Sequence, residues 1–197
     1  EISACLVGSE MCIRDRIGYL VIVSVGTLLA GIALGTAASL SGALFYLIHS
    51  SWICAALFLL ADLVARQRGD LRGRLRTGPR LGNPLLLGAL FFIAAVSVAG
   101  LPPFSGFLGK VMLLRAAGAG QQALELWPVV LIGGLGMLVA LSRAGSVLFW
   151  RTMDDAAPRA ELDRVRALAT IGLLACSPLL VVAAQPVYAY TCLLYTS

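Results

Sequence analysis

A series of apolar blocks constrains this chain more than any other feature. Ile17 to Gly35, Leu40 to Ala65, Pro84 to Gly100, Leu126 to Trp150 and Ala167 to about Val182 are each nearly free of charge. They approach or exceed the roughly 20 residues that a helix needs to cross about 30 Å of hydrocarbon at about 1.5 Å per residue. The blocks are apolar on every face instead of alternating, which argues against a strand barrel and for helices that satisfy their own backbone hydrogen bonds. Composition agrees, because 59% of the 197 residues are hydrophobic, only 13% are charged, and the mean hydropathy is +0.91. That is far from a soluble domain. The expected fold is all-α, a polytopic transmembrane bundle of about five or six helices, with the lipid bilayer as its surroundings.

A net charge of +5 raises the question of nucleic acid. The arginines sit between apolar blocks without interleaved aromatic residues, so membrane topology explains them and no nucleic-acid partner is expected. The loop after the second block holds Arg66, Arg68, Arg72, Arg74, Arg76 and Arg80 against one acid, Asp70. Basic loops stay on the cytoplasmic side, which places this one there. Cys5, Cys12, Cys54, Cys176 and Cys192 form no metal-binding spacing, so no metal, cofactor or disulfide framework is expected. Phosphate loops, zinc-protease motifs and nucleophile elbows are absent in any workable context, and nothing argues for hydrolysis or nucleotide binding. Residues 1–16 fit neither a signal peptide nor a spanning helix, and they resemble translated sequencing-adapter read-through, as do residues 191–197. Both are expected to be non-native flanks around a partial transmembrane domain, 17–190.

The chemistry gathers at one break. Gly100-Leu101-Pro102-Pro103-Phe104-Ser105-Gly106 ends any helix, and the apolar stretch that follows, Phe107 to Ala117, is too short to cross alone. A discontinuous helix near 101–117 is therefore expected, a device that commonly builds ion sites near the bilayer midplane. Lys110 lies within it and is the one lysine in a chain with 15 lysines and arginines. Arginine keeps its proton in proteins, whereas a lysine taken out of water can release and reload one. A lysine at the centre of a membrane helix costs roughly 2.5 to 3.5 kcal/mol on insertion scales, so it normally faces a bundle interior or a cavity. On the residues alone a second reading stands, in which the break is an interfacial loop and Lys110 snorkels to the surface. His49, the sole histidine, lies mid-span beside Ser50 and Ser51, where it can relay protons or act as packing glue. Ser105 and the carbonyls freed by the prolines are expected to hold a relaying water. Asp62, Glu125 and Arg143 lie at block ends and read as interfacial, with Asp62 able to pair with Arg66 one turn on. Gly31 and Gly35 have the spacing that lets helices approach closely.

Gly100-Leu101-Pro102-Pro103-Phe104-Ser105-Gly106-Phe107-Leu108-Gly109-Lys110 resembles the G-x-P-P-x-S-G-F-x-G-K signature of a proton-conducting membrane family. That family is shared by Mrp-type multisubunit cation/proton antiporters and the antiporter-like subunits of NADH:quinone oxidoreductase. Tyr46-Leu47-Ile48-His49-Ser50-Ser51-Trp52, with Ala55 to Leu60 after it, resembles the family's earlier helix, and Ile17-Gly18-Tyr19-Leu20 the end of its Ser-x-x-x-Gly-Tyr segment. The resemblance covers most of Ile17 to Trp150 and implies the C-terminal half of a protein with about fourteen helices. It implies that Lys110 is a proton carrier and His49 a relay, with Gly100, Pro102, Pro103, Ser105 and Gly106 forming the broken-helix motif. Ile53 departs from the pattern, since many relatives carry a second lysine there. Asp62 and the following Leu-Val-Ala-Arg-Gln-Arg-Gly are similar to the D-type subunits of the Mrp-type antiporters. The implied role is proton translocation in exchange for Na⁺ or K⁺, alongside other subunits of a hetero-oligomeric complex in a bacterial inner (plasma) membrane. The alternatives are a proton-pumping membrane component of NADH:quinone oxidoreductase and a purely structural membrane scaffold.

Overall fold

Every apolar block becomes a helix, and local chemistry sets where each one starts and stops. The computed structural model describes residues 12–71, 73–79, 81–118, 120–153 and 162–196. Residues 1–11 and most of the connection from Met153 to Arg166 lie outside the described residues. Helix α1 is Ile13–Ala33, so it begins inside the segment that the sequence set apart as a flank. Helix α2 is Ala37–Gln67. Thr36 caps it, its hydroxyl accepting the Ser39 N–H at 3.1 Å while the Ser39 hydroxyl accepts the Thr36 N–H at 3.1 Å. Gly35 lies beyond α1 with a φ of 65°, so Gly31 and Gly35 do not share a helical face as their spacing suggested. Gly31 alone makes the close approach, against Leu113.

Helix α3 is Pro84–Ala99, with proline in the first turn, where a missing N–H breaks no intrahelical bond. Helix α4 is Ser105–Ala116. Helix α5 is Gln121–Gly145, continued by a π-helical turn over Ser146–Trp150. Helix α6 is Arg164–Val182, capped by the Asp163 carboxylate on the Arg166 N–H, and α7 is Ala184–Thr196. Ile13–Ala33, Ala37–Gln67, Ala123–Trp150 and Arg164–Val182 are, among the described residues, the four stretches long and apolar enough to cross a membrane. Helices α3 and α4 supply one further crossing in two pieces. Phe91 of α3 packs on Phe149 at the end of α5, with ring centroids 5.7 Å apart, whereas Leu113 of α4 reaches Gly31 of α1 at the opposite end. This is the discontinuous helix that the double proline predicts.

Helix α2 is the axis of the bundle and packs against α1, α3, α4, α6 and α7. Its apolar residues run all the way round, the pattern of an interior helix, and Phe45, Tyr46, Ile53, Ala56, Leu57 and Leu60 are all fully buried. Ile53 thus fills with hydrocarbon the position where a second lysine would stand. Leu124, Val129, Leu131, Ile132 and Leu135 of α5 point outward. With these spans the chain is a multi-pass membrane protein.

One end of the bundle carries the charge. Asp62 binds Arg14, Arg66 and Arg166 at 3.3, 2.9 and 3.4 Å, which ties α1, α2 and α6 together. Arg68 hydrogen-bonds the carbonyls of Arg74 and Arg76 and so folds the arginine loop over the end of α2. The same loop meets the chain after α5 through a two-residue parallel pair, β1 (Gly78–Pro79) and β2 (Thr152–Met153). Cys12 is disulfide-bonded, where the spacing of the cysteines predicts no disulfide, while Cys54 and Cys176 are free thiols.

Candidate functional site

The break between α3 and α4 begins with a helix end of defined geometry. Gly100 takes a φ of 82°, the left-handed region that favours glycine. Its N–H bonds the Ser97 carbonyl at 3.2 Å, and the Leu101 N–H bonds the Val96 carbonyl at 3.1 Å, the paired bonds of a Schellman motif. Pro102 and Pro103 follow and prevent the helix from resuming. The chain turns back beside its own end, and α4 starts at Ser105.

This turn brings Lys110 to the end of α3. The Lys110 Nζ donates to the Ala99 carbonyl at 2.7 Å, and the residue is buried, 8% exposed. Among the described residues it has no ion pair. Its charge meets the C-terminal end of a helix, equivalent to about half a negative elementary charge. Two glycines make the room. A β-carbon on Gly100 would lie 2.9 Å from Nζ, and one on Gly134 of α5 would lie 3.3 Å from it. The ammonium is therefore enclosed by α3, α4 and α5 and does not snorkel to an interface.

The second half of the site is a chain of hydrogen bonds across four helices. His49 of α2, 2% exposed, places Nδ1 2.8 Å from the Ser105 hydroxyl of α4. That hydroxyl lies 2.8 Å from the Ser177 hydroxyl of α6, which is in turn 3.1 Å from the Ser97 hydroxyl of α3. The Ser105 N–H also donates to the Ser177 hydroxyl at 3.3 Å. Ser97 and Ser105 are fully buried and Ser177 is 4% exposed. Among the described residues the other imidazole nitrogen, Nε2, makes no hydrogen bond of ordinary geometry, although the Ser97 backbone interacts with the imidazole. Nε2 faces Gly106, where a β-carbon would sit 2.6 Å from Nε2 and 2.4 Å from the Ser97 carbonyl. Gly106 is what allows the histidine and α3 to approach the first turn of α4.

The structure thus brings Lys110, His49, Gly100, Ser105 and Gly106 together, with Pro102 and Pro103 forming the turn between the two helix pieces. Ser105 meets His49 and Ser177 directly. Among the described residues no hydrogen bond joins His49 to Lys110. Glu125 and Arg143 are exposed, and Asp62 belongs to the charged end described above. Ser97 and Ser177 escape a reading of the sequence, because a lone serine in an apolar helix has no periodic or motif signal.

The family model for the NADH:quinone oxidoreductase/Mrp antiporter membrane domain matches residues 3–139, which include His49 and Lys110. The chain belongs to this family. Within the NADH:quinone oxidoreductase/Mrp antiporter family it is 35% identical to the D subunit of a probable K(+)/H(+) antiporter of Rhizobium meliloti over 171 residues, 72% of this chain and 32% of that protein. It is 36% identical to the D subunit of the Na(+)/H(+) antiporter of Bacillus subtilis over 132 residues, 67% of this chain and 26% of that protein. The chain spans about a third of the length of the curated relatives it matches. The fold also matches a chain in the Mrp complex of a Dietzia species, with a TM-score of 0.76 at 21% identity over 94% of this chain and 42% of that one. Ser177 lies beyond the residues that the family model matches.

Proposed function

We propose that this chain is part of the proton-translocating D-type subunit of a Mrp-type monovalent cation/proton antiporter, and that Lys110 and His49 carry its proton. The observation behind this reading is the enclosure of Lys110, whose Nζ lies on the Ala99 carbonyl at a broken helix, without an acid beside it among the described residues. A permanently paired lysine would be held as a fixed charge. A lysine held only by a carbonyl can be neutral or charged with the same neighbours. The amine takes a proton on its lone pair and later releases it, and Nε2 of His49 offers the next lone pair when the imidazole carries its proton on Nδ1. Water moves the proton between the two groups. The names of the relatives support exchange against Na⁺ or K⁺ with other subunits as partners, and the setting that goes with this reading is a bacterial plasma membrane.

The test uses the full-length protein assembled with its partner subunits. Lys110→Ala should abolish cation-dependent proton movement in everted membrane vesicles at unchanged assembly. Retained movement removes Lys110 from the path.

A further inference from the structure

We propose that Ser177 is a positioning residue of the proton path, contributed by a helix outside the broken span. Its hydroxyl keeps the bond between His49 Nδ1 and Ser105 closed while Nε2 gains and loses the proton. This inference rests on the reading of His49 given above.

Ser177 Oγ has three polar neighbours within hydrogen-bond reach, namely the Ser105 N–H, the Ser105 hydroxyl and the Ser97 hydroxyl. A hydroxyl has one proton and two lone pairs. The Ser105 N–H takes one lone pair in every state. The remaining lone pair and the proton then serve the two hydroxyls in either order. In one order Ser97 donates to Ser177, Ser177 to Ser105, and Ser105 to a bare Nδ1, so that the neutral imidazole carries its proton on Nε2. In the other order an Nδ1–H donates to Ser105, Ser105 to Ser177, and Ser177 to Ser97, which leaves a lone pair on Nε2 or accommodates the imidazolium. Every bond along the chain from His49 to Ser97 is kept in both orders. In the second order Nε2 binds a proton released by Lys110 through water and later gives it up at the same atom, with no other covalent bond changed. The three serines turn but keep their own protons.

Ser177 makes this possible because of where it sits. It immediately precedes Pro178 within α6, and the proline has no N–H to give to the Leu174 carbonyl. Without the Ser177 oxygen the buried Ser105 N–H and hydroxyl lose a partner together. The His49 bond then closes in one order only, and a buried donor is left unsatisfied in the other.

The experiment compares Ser177→Thr with Ser177→Val in the full-length assembled complex. The two replacements have the same shape, and only threonine keeps the hydroxyl. Threonine should retain most of the cation-dependent proton movement in everted vesicles. Valine should lower it by about five- to ten-fold, the effect of one hydrogen bond on a rate. The valine loss should not add to that of Ser105→Ala in the double variant, because both act through His49. Equal rates for threonine and valine, or fully additive losses with Ser105→Ala, overturn the proposal. Should valine prevent assembly, Ser177→Ala is read in its place against the threonine variant, with the same two outcomes. Lys110→Ala is measured beside them. If it remains active, the proton-carrier reading fails, whereas an inactive Lys110→Ala with a fully active valine variant removes Ser177 alone.

Discussion

Gly106 has no space for a side chain, since an added β-carbon would fall 2.4 Å from the Ser97 carbonyl and 2.6 Å from His49 Nε2. One of these neighbours is backbone, so the contact can be relieved only by moving α4 away from α3. Gly106→Ala is expected to destabilise the protein by about 1 to 3 kcal/mol, the usual cost of overpacking. Thermal unfolding of the purified full-length protein measures this, and a wild-type melting profile would contradict it. Lys110 and His49 are legible in the sequence because each is the only residue of its kind in an apolar chain. Ser97 and Ser177 are not, although they hold the same site together. Their bond is a tertiary contact between residues 80 positions apart, and a serine's small polarity leaves no mark on a hydrophobic pattern. The spacing of Gly31 correctly signals close packing, but its pairing with Gly35 is not realised, because α1 ends two residues earlier.

At the scale of elements, the Schellman end of α3 and the start of α4 work as one device. Gly100 is part of it twice over, through its φ of 82° and through the Lys110 side chain that lies against it. Gly100→Ala adds about 1 to 2 kcal/mol of backbone strain and places a methyl group 2.9 Å from Nζ. It should therefore reduce proton movement far more than Leu101→Ala, a change in the same turn with no lysine contact assigned to it. Vesicle assays of both variants at matched assembly make the comparison, and equal rates would show that the turn does not position Lys110. The break itself is legible, because two consecutive prolines allow no other outcome. Its consequence is less so. The sequence suggests that Ser105 holds a relaying water, yet it bonds His49 and Ser177 directly, which only the return of α4 beside α3 and α6 brings about.

For the molecule as a whole, the arginine loop, the end of α5 and the Asp62 ion cluster lie at one end, with the turn at Gly35 and Thr36 at the other. Positive-inside bias predicts that the arginine end faces the cytoplasm. A cysteine introduced at Arg74 should then be labelled by an impermeant maleimide in everted vesicles but not in intact spheroplasts, and one at Gly35 should show the opposite pattern. The reverse result would invert the topology. Apolar patterning is sufficient to locate the spans, because a bilayer leaves few other folds open to such blocks. The proposed proton path depends on the geometry between those spans and requires Lys110 to change its protonation state. Lys110→Arg tests this most directly, since a guanidinium keeps the charge and cannot release its proton. In the assembled full-length complex, cation-dependent proton movement across everted vesicles should fall to the background of Lys110→Ala, whereas a wild-type rate would show that a fixed positive charge at this position is enough.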